Sequence, residues 1–394
     1  MPRSTDATLG ELLALIDGEL PQAVQLRHRL HADPELAHEE HNTAALVAEQ
    51  LPVTSETVAG TGLLARVGPD TGAPIAVRAE LDALPLRERT GAPFSAHGEA
   101  MHACGHDVHM AALVALARAA QRMDGALPVA LLAVFQPSEE AYPSGAELLA
   151  SELARAQPAA VVAAHVHPEL AWGSVALDAG AVNASSDSVE ITIEGEPSHA
   201  AYPHRGRDPV LAIAQVVVAL HARVGRAIDP LSAATLNVGV VEAGAIENVI
   251  PARARARASL RAYRPEDRAE LRRIVVEVVE GVAAAHGCVG TAEVIAGEPA
   301  LENDAAIVAA ARPALAEAGL VAAAPWRSLG SDDFAFFGAL APLAMAFVGL
   351  AGAPGFEQRP LHHPELLVPD EAVGAVARAQ AVLLLGAARA VGRG

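Results

Sequence analysis

The sequence predicts an α/β fold in which a discontinuous domain, with a mostly parallel central sheet flanked by helices, is interrupted by an inserted ferredoxin-like α+β domain. In the first half, short apolar runs alternate with helical patterns, which is typical of parallel strands covered on both faces. From about Asp187 apolar residues alternate with polar ones, and after Pro299 the first pattern returns. We therefore expect residues 1–184 and 294–394 to form one domain and residues 185–293 to form the insert.

The elements of the larger domain follow from the spacing of its apolar residues. These recur at helical intervals in the helices, whereas the strands are almost purely apolar runs. In chain order we predict a helix at 11–31, a strand at 75–78, a helix at 110–123, strands at 128–135 and 159–164, a helix at 305–318, a strand at 343–350 and a helix at 371–390.

The insert is predicted from a β-α-β-β-α-β order of patterns, which is the arrangement of a ferredoxin-like domain. Its first strand carries Val189, Ile191 and Ile193 on one face. The predicted elements are a strand at 188–194, a helix at 208–224, strands at 234–241 and 252–263, a helix at 265–286 and a strand at 289–295.

Composition limits the partners and the compartment. The net charge is −19, and a polyanion needs a basic footprint, so we expect neither nucleic acid nor an anionic membrane as a partner. Two cysteines, Cys104 and Cys288, cannot build a disulfide framework, which favours a reducing cytosol. The N-terminus lacks the basic segment and apolar core of a secretory signal. We expect a soluble, cytoplasmic protein.

Candidate metal ligands follow the predicted strands of the first half. Asp82 follows the first strand, Glu139 and Glu140 follow the second, and His165 follows the third. The carboxyl ends of strands in a doubly wound sheet gather at one edge, so we expect these side chains to converge.

Cys104 and His106 stand in the run MHACGHDVH, just ahead of the predicted helix at 110–123. Thiolate, imidazole and carboxylate are the protein ligand types that hold zinc-like ions. We expect Asp107 to cap the helix, and the helix dipole to favour the thiolate form of Cys104.

The adjacent acids Glu139 and Glu140 complete the pattern. Neighbouring side chains in extended backbone point apart, so one can bind a metal while the other faces bound water. At a good metal site the pKa of water falls from roughly 16 to about 7, and a spare carboxylate can shuttle the proton. This combination predicts a metal-dependent hydrolase.

Other histidines carry no such pattern. The run His38-Glu39-Glu40-His41 superficially matches a zinc motif, but its histidines are three positions apart rather than four, so that geometry fails. Isolated histidines in helical patterns are read as surface or packing residues: His28, His31, His221 and His286.

With these residues in place, the sequence resembles the M20 metallopeptidase family, in the amidohydrolase branch of aminoacylase-like, hippurate-hydrolase-like and auxin-conjugate-hydrolase-like enzymes. The resemblance covers nearly the whole chain in order. The matching segments are RHRLHADPEL (27–36), VRAELDALP (77–85), MHACGHDVH (101–109), FQPSEEAYPSGA (135–146), AHVHP (164–168), EPSHAAYPH (196–204), ENVIP (247–251), SLGSDDF (328–334) and LHHPEL (361–366).

The resemblance implies a site for two divalent ions in the larger, catalytic domain. Cys104, His106, Glu140, His165 and His362 match the ligand positions of this branch. The ions could be Zn, Mn, Co or Ni, and either the cysteine or a water could bridge them.

The resemblance also implies roles around the metals. Glu139 matches the general base, and Asp82 matches an acid that orients a ligand. In the inserted lid domain His199 matches a residue that contacts the reacting carbonyl, often across a dimer interface, and Asn248 matches a substrate-contacting position. One departure is Glu80, where Asp is usual.

These matches imply an amidohydrolase that cleaves the amide of N-acyl amino acids or related small conjugates, as a homodimer through the insert. Two alternatives stay open at this point. One is a dipeptidase or aminopeptidase on the same scaffold, and the other is a non-catalytic protein that binds metal or ligand.

Overall fold

The computed structural model describes residues 5–123 and 126–392. Its contacts divide the chain into two compact units. Unit 1 comprises Met1–Gly180, Glu302–Trp326 and Phe336–Gly394, and unit 2 comprises Ala181–Leu301 and Arg327–Ala335. The predicted domain boundaries stay a prediction; unit 2 contains a second segment that residues 185–293 do not include.

The elements are numbered in chain order. The helices are α1 (Thr5–Ala32), α2 (His41–Gln50), α3 (His106–Arg122), α4 (Gly145–Ala156), α5 (Pro209–Ala227), α6 (Pro265–Ala285), α7 (Ala305–Ala311) and α8 (Glu371–Val391), with 3-10 turns at Pro203–Arg205, Arg312–Leu315 and Asp333–Ala339. The strands are β1 (Glu56–Val58), β2 (Gly62–Val67), β3 (Ile75–Glu80), β4 (Leu131–Gln136), β5 (Ala160–Ala171), β6 (Ser174–Ala176), β7 (Gly180–Asn183), β8 (Ser185–Glu194), β9 (Ser198–His199), β10 (Ala234–Ala243), β11 (Val249–Ile250), β12 (Arg253–Ala262), β13 (Val289–Ala296), β14 (Leu301–Asn303), β15 (Val321–Ala322) and β16 (Leu343–Ala351).

Unit 1 is built on a sheet with the strand order β1-β2-β4-β3-β5-β16-β6-β15. Its centre, β4-β3-β5-β16, is parallel, and antiparallel pairs join β2 to β4 and β6 to β16. Every residue of β3 and β4 is buried, as expected for strands covered on both faces. Helices α1, α3 and α8 pack together and contribute to one apolar core with the sheet. The predicted fold class is therefore confirmed.

Unit 2 contains an antiparallel sheet with the order β10-β12-β8-β13. Its elements follow one another as β8-α5-β10-β12-α6-β13, which is the predicted ferredoxin-like order. Val189, Ile191 and Ile193 are buried and face α5 and α6 in a separate core, whereas the alternate residue Glu190 is exposed.

Several element boundaries differ from the predicted ones. The helix predicted at 305–318 ends as α7 at Ala311 and continues only as a 3-10 turn, because Pro313 has no N–H to extend it. The strand predicted to end at residue 164 continues as β5 to Ala171. Helix α3 begins at His106 rather than Met110, directly after Gly105 in a left-handed conformation.

Two described helices, α5 and α8, are long and apolar enough to cross a membrane by length and composition alone. The core helix of a globular domain passes the same test, and α8 lies mostly inside the core of unit 1.

Candidate metal centre

Four of the five predicted ligands come from three places in unit 1. Cys104 and His106 lie at the start of α3, Glu140 follows β4, and His165 lies within β5. Cys104, His106 and Glu140 each offer a ligand atom, and these three atoms lie within 4.8 Å of one another. The Cys104 Sγ atom is also 3.4 Å from Nε2 of His165. The structure therefore brings these four side chains together.

The tautomer of each imidazole follows from its hydrogen bonds. Nδ1 of His106 donates to the backbone oxygen of Asp82 at 2.9 Å, and Nδ1 of His165 donates to the oxygen of Val166 at 2.7 Å. A carbonyl oxygen only accepts, so the proton of each neutral ring sits on Nδ1. Nε2 of His106 is therefore left to face a ligand, and Nε2 of His165 faces Sγ of Cys104. Nε2 of His106 is buried and has no hydrogen-bond partner among the described residues.

His362 completes the predicted ligand set from a separate loop. Its backbone N–H donates to the oxygen of Ala103 at 2.9 Å, which ties this loop to that of Cys104. Its backbone has a φ of 64°, a left-handed value that non-glycine residues rarely adopt. Nε2 of His362 lies 3.2 Å from Oε1 of Glu140. All five predicted ligands thus lie within one connected cluster.

The charges of the cluster favour a cation. Burial opposes protonation of His106, but Glu80, Asp82 and Glu140 outweigh it and raise its pKa to about 10. Burial and the neighbouring His109 hold the pKa of His165 well below its usual value, so this ring is neutral. The raised pKa means that His106 binds a second proton at Nε2 at neutral pH, and a bound metal ion would take the place of that proton. The donor types and the orphaned Nε2 of His106 fit a divalent cation.

Asp82 and Glu139 lie beside the ligands. Oδ2 of Asp82 accepts the backbone N–H of Glu140 at 2.8 Å, and its carboxylate stays within 3.6 Å of Nδ1 of His106. Burial raises the pKa of Asp82, yet His106 and the backbone donors lower it overall, so it is ionised. Oε2 of Glu139 is 3.8 Å from Nε2 of His106.

His109 is a further buried histidine next to the cluster, with a role that sequence reasoning missed. Nδ1 of His109 donates to Oε2 of Glu80 at 2.8 Å, and its Nε2 accepts the backbone N–H of Val166 at 3.0 Å. Both nitrogens are therefore committed, and the ring fixes the backbone next to His165. The sequence carries one indication of this role: β3 contains two charged residues, Arg78 and Glu80, among apolar ones, and buried charges need polar partners such as His109.

The prediction that Asp107 caps α3 is wrong. The residue before the helix is Gly105, where an added Cβ would meet Cγ2 of Val166 at 2.5 Å, and no side chain caps it. The carboxylate of Asp107 instead accepts from Nε of Arg27 at 2.8 Å and lies 2.9 Å from Nδ1 of His31. His31, predicted to be a surface or packing residue, is buried and forms an ion pair with Asp107.

The predicted substrate residues lie in unit 2. His199 is in β9 and pairs with Val249 of β11, and the backbone N–H of Ala200 donates to the oxygen of Asn248 at 3.0 Å. The structure thus brings His199 and Asn248 together on a short two-stranded ribbon, with both residues exposed.

Unit 1 thus has a sheet with a parallel centre and a cluster of thiolate, imidazole and carboxylate donors, which defines a protein of the α/β class with a candidate metal site. The sequence profile of Peptidase family M20/M25/M40 matches residues 76–384. The chain belongs to this family, as the resemblance of its motifs implied.

Individual relatives agree with this assignment. The N-acetyl-L-cysteine deacetylase of Bacillus subtilis (strain 168) is 35% identical over 358 residues, covering 89% of this chain and 85% of the relative. The N-acetyldiaminopimelate deacetylase of Bacillus licheniformis is 31% identical, covering 91% of this chain and 97% of the relative. The crystal structure of the Bacillus subtilis YXEP protein, a dinuclear metal-binding peptidase of the M20 family, matches with a TM-score of 0.82 and 27% identity, covering 94% of this chain and 98% of that one.

Proposed function

We propose that this protein hydrolyses the amide bond of N-acyl amino acids, with two divalent ions held by Cys104, His106, Glu140, His165 and His362. The observation that carries the proposal is the cluster of Cys104 with two buried imidazoles whose Nδ1 atoms donate to backbone oxygens, which makes Nε2 the ligand atom of each ring. Two relatives that are deacetylases of N-acetyl compounds support the substrate class.

The donor set suits Zn, Mn, Co or Ni, because it mixes a sulfur ligand with imidazoles and carboxylates. When bound, the ions supply a water of lowered pKa and polarise an amide carbonyl. The protein's own residues supply the rest of the chemistry. Asp82 orients His106 and grips the backbone of Glu140.

Glu139 acts as the general base in this proposal. Its carboxylate lies 3.8 Å from Nε2 of His106, so it borders the space that the ligands share. It accepts the proton that the attacking water loses and passes that proton to the departing amine nitrogen.

His199 and Asn248 act on the substrate in this proposal. Nδ1 of His199 accepts the backbone N–H of Ala201 at 3.0 Å, so in the neutral ring Nε2 carries the proton and can donate. A donor to the developing oxyanion is typically worth about 3 kcal/mol of barrier. Asn248, its neighbour on the ribbon, would contact the rest of the substrate.

We also propose a homodimer through unit 2. Strand β10 is an edge of the sheet of unit 2, and edge strands present unpaired backbone groups. Helix α5 exposes Leu211 and Val218 on one face, at 51% and 70%. A second copy related by two-fold symmetry would cover both features.

Replacing Glu139 tests the mechanism. Glu139→Gln keeps the shape but cannot accept a proton, so we expect kcat to fall about a thousand-fold with near two metal ions still bound per chain. Glu147→Gln, an exposed glutamate of α4, is the matched control. Full activity of Glu139→Gln would refute the proposed role of this carboxylate.

A substrate panel tests the proposed class. Metal-reconstituted protein should release amino acid from acetyl, benzoyl or longer-chain N-acyl amino acids, with dipeptides as poor substrates. Cleavage of dipeptides alone would favour the peptidase alternative. Calorimetric capture of these ligands without product would favour a binding protein.

A further inference from the structure

Glu40 belongs to the His38-Glu39-Glu40-His41 run that fails as a zinc motif, and it is completely buried in unit 1. Its Oε1 accepts the backbone N–H of Ser138 at 2.7 Å and lies 3.2 Å from the hydroxyl of the same serine. Its Oε2 accepts the hydroxyl of Thr61 at 2.7 Å. Both carboxylate oxygens therefore make hydrogen bonds to distant parts of the chain.

This use of Glu40 is not the ordinary one for its position. Glu40 is the residue just before α2, where a polar side chain usually caps the first turn of its own helix. Here the side chain makes no such bond and reaches a residue 98 positions away. Local helix stability therefore does not explain the buried carboxylate.

Ser138, the residue that Glu40 holds, directly precedes the proposed base Glu139. Its backbone has a φ of 52°, a left-handed conformation that an unrestrained serine rarely adopts. Its buried hydroxyl also accepts the backbone N–H of His38 at 2.8 Å. On the other side of Glu139, the N–H of Glu140 is held by Asp82. Two buried carboxylates, those of Glu40 and Asp82, thus accept hydrogen bonds from the backbone N–H groups of the residues on either side of Glu139.

We propose that Glu40 is a positioning residue for Glu139. By holding Ser138 in its left-handed conformation, Glu40 directs the carboxylate of Glu139 at the space beside Nε2 of His106. This inference rests on the proposed role of Glu139 as general base. Without the hydrogen bonds from Ser138 to Glu40, Ser138 relaxes to a negative φ, and the carboxylate of Glu139 turns away from His106.

Removing the hydrogen bonds between Glu40 and Ser138 should lower kcat while both metal ions stay bound. In Glu40→Leu we expect kcat to fall about 10- to 100-fold, since a displacement of about 1 Å can cost as much as 100-fold. KM and the bound metal should stay within about two-fold of the wild type, a ratio that corresponds to under ~0.5 kcal/mol. Glu39→Leu, at the exposed neighbouring position, is the matched control and should keep the wild-type kcat.

Two further variants separate positioning from general stability. Glu40→Gln should keep kcat within about three-fold, because its amide oxygen still accepts from Ser138 and its NH2 group can donate to Thr61. Adding Ser138→Gly to Glu40→Leu should restore part of the lost kcat, since glycine adopts a positive φ without help. If Glu40→Leu does not fold, Glu40→Asp replaces it, because the shorter side chain cannot reach both Thr61 and Ser138.

A double-mutant cycle with Glu139→Gln gives the decisive comparison. If Glu40 acts through Glu139, Glu40→Leu causes no further loss of the residual rate in the Glu139→Gln background. The inference is overturned if Glu40→Leu keeps the wild-type kcat, loses metal in proportion to kcat, or lowers the rate equally in both backgrounds. An active Glu139→Gln enzyme would instead refute the proposed base itself, so the two failures are distinguishable.

Discussion

The tautomer of each imidazole determines which ring nitrogen can bind a metal ion in unit 1. Backbone oxygens take the Nδ1 protons of His106 and His165. Nε2 of His106 has no hydrogen-bond partner among the described residues, and Nε2 of His165 faces Sγ of Cys104, itself a proposed ligand. His109 lies equally deep, but both of its nitrogens are used in holding Glu80 and Val166. Three neighbouring buried histidines thus have two different roles.

The buried ion pair of His31 makes stability depend on pH. Burial lowers the pKa of His31, but Asp107 and Glu88 outweigh it and raise the value to about 9. Because this lies above the ordinary 6.5, the stabilisation is fully present below pH 6.5 and is lost as the pH rises through 9. We expect urea denaturation to show a loss of about 3 kcal/mol from this group between these values.

The variant His31→Gln isolates that contribution. Its free energy of unfolding should be lower than that of the wild type at pH 6, and the difference should shrink towards pH 9.5. His221→Gln, an exposed histidine of α5, should follow the wild-type curve. Parallel curves for the wild type and His31→Gln would contradict the ion pair.

At the scale of elements, Asp187 fastens the first strand of the unit 2 sheet to α6. Its carboxylate accepts hydrogen bonds from the guanidinium groups of Arg268 and Arg272, the latter from Nε at 2.7 Å. The backbone N–H of Gly297 donates a further hydrogen bond to it. Burial opposes ionisation, but the two guanidinium groups outweigh it and lower the pKa of Asp187 to about 2. The stabilisation is present above the ordinary pKa of 3.8 and is lost as the pH falls through about 2.

Asp187→Asn should therefore destabilise unit 2 in a pH-dependent way. We expect a loss of about 2 kcal/mol at pH 7, because hydrogen bonds to a charged group become neutral ones. The loss should fade as the pH approaches 2. Arg273→Gln removes an exposed ion pair on the same helix, and its effect on stability should be much smaller than that of Asp187→Asn because solvent screens the pair. An equal effect of the two variants by urea denaturation would count against this account.

The order of elements was predictable because each pattern is local. Apolar runs predicted β3, β4, β5 and β16, and strict alternation predicted β8. The start of α3 was not predicted. It follows Gly105, whose φ is 88° and where Val166 of β5 comes so close that an added Cβ would clash with it. That approach is a tertiary contact without a signal in local spacing.

In the candidate site, too, residues with a local sequence pattern were predictable and residues joined by distant contacts were not. The residue types of the MHACGHDVH run and the two acids after β4 predicted a metal site, and the resemblance to the M20 family implied that Glu140 is the acid that binds. The structure brings Cys104, His106 and Glu140 together. Asp82, which contacts His106 and Glu140, was implied by the resemblance, whereas the buried ion pair of Arg27 with Asp107 was not predicted, since these residues are 80 positions apart in the sequence. The spacing of the His38–His41 run gives no hint of the role of Glu40, which holds Ser138, the residue before the proposed base.

At the scale of the whole molecule, the proposed dimer is tested through α5. Val218→Glu places a charge on the exposed apolar face of this helix, where burial against a second copy would be costly. We expect light scattering to show a mass near twice the 40.4 kDa chain for the wild type and a shift to the single-chain mass for the variant. A monomeric wild type would contradict the proposed dimer.

The central claim is that five side chains of unit 1 hold two metal ions. Anomalous diffraction from a zinc-loaded crystal tests it most directly. We expect two anomalous peaks, each about 2.0–2.3 Å from ligand atoms drawn from Cys104, His106, Glu140, His165 and His362. A single peak, or two peaks whose ligands exclude Cys104 and His106, would contradict the claim.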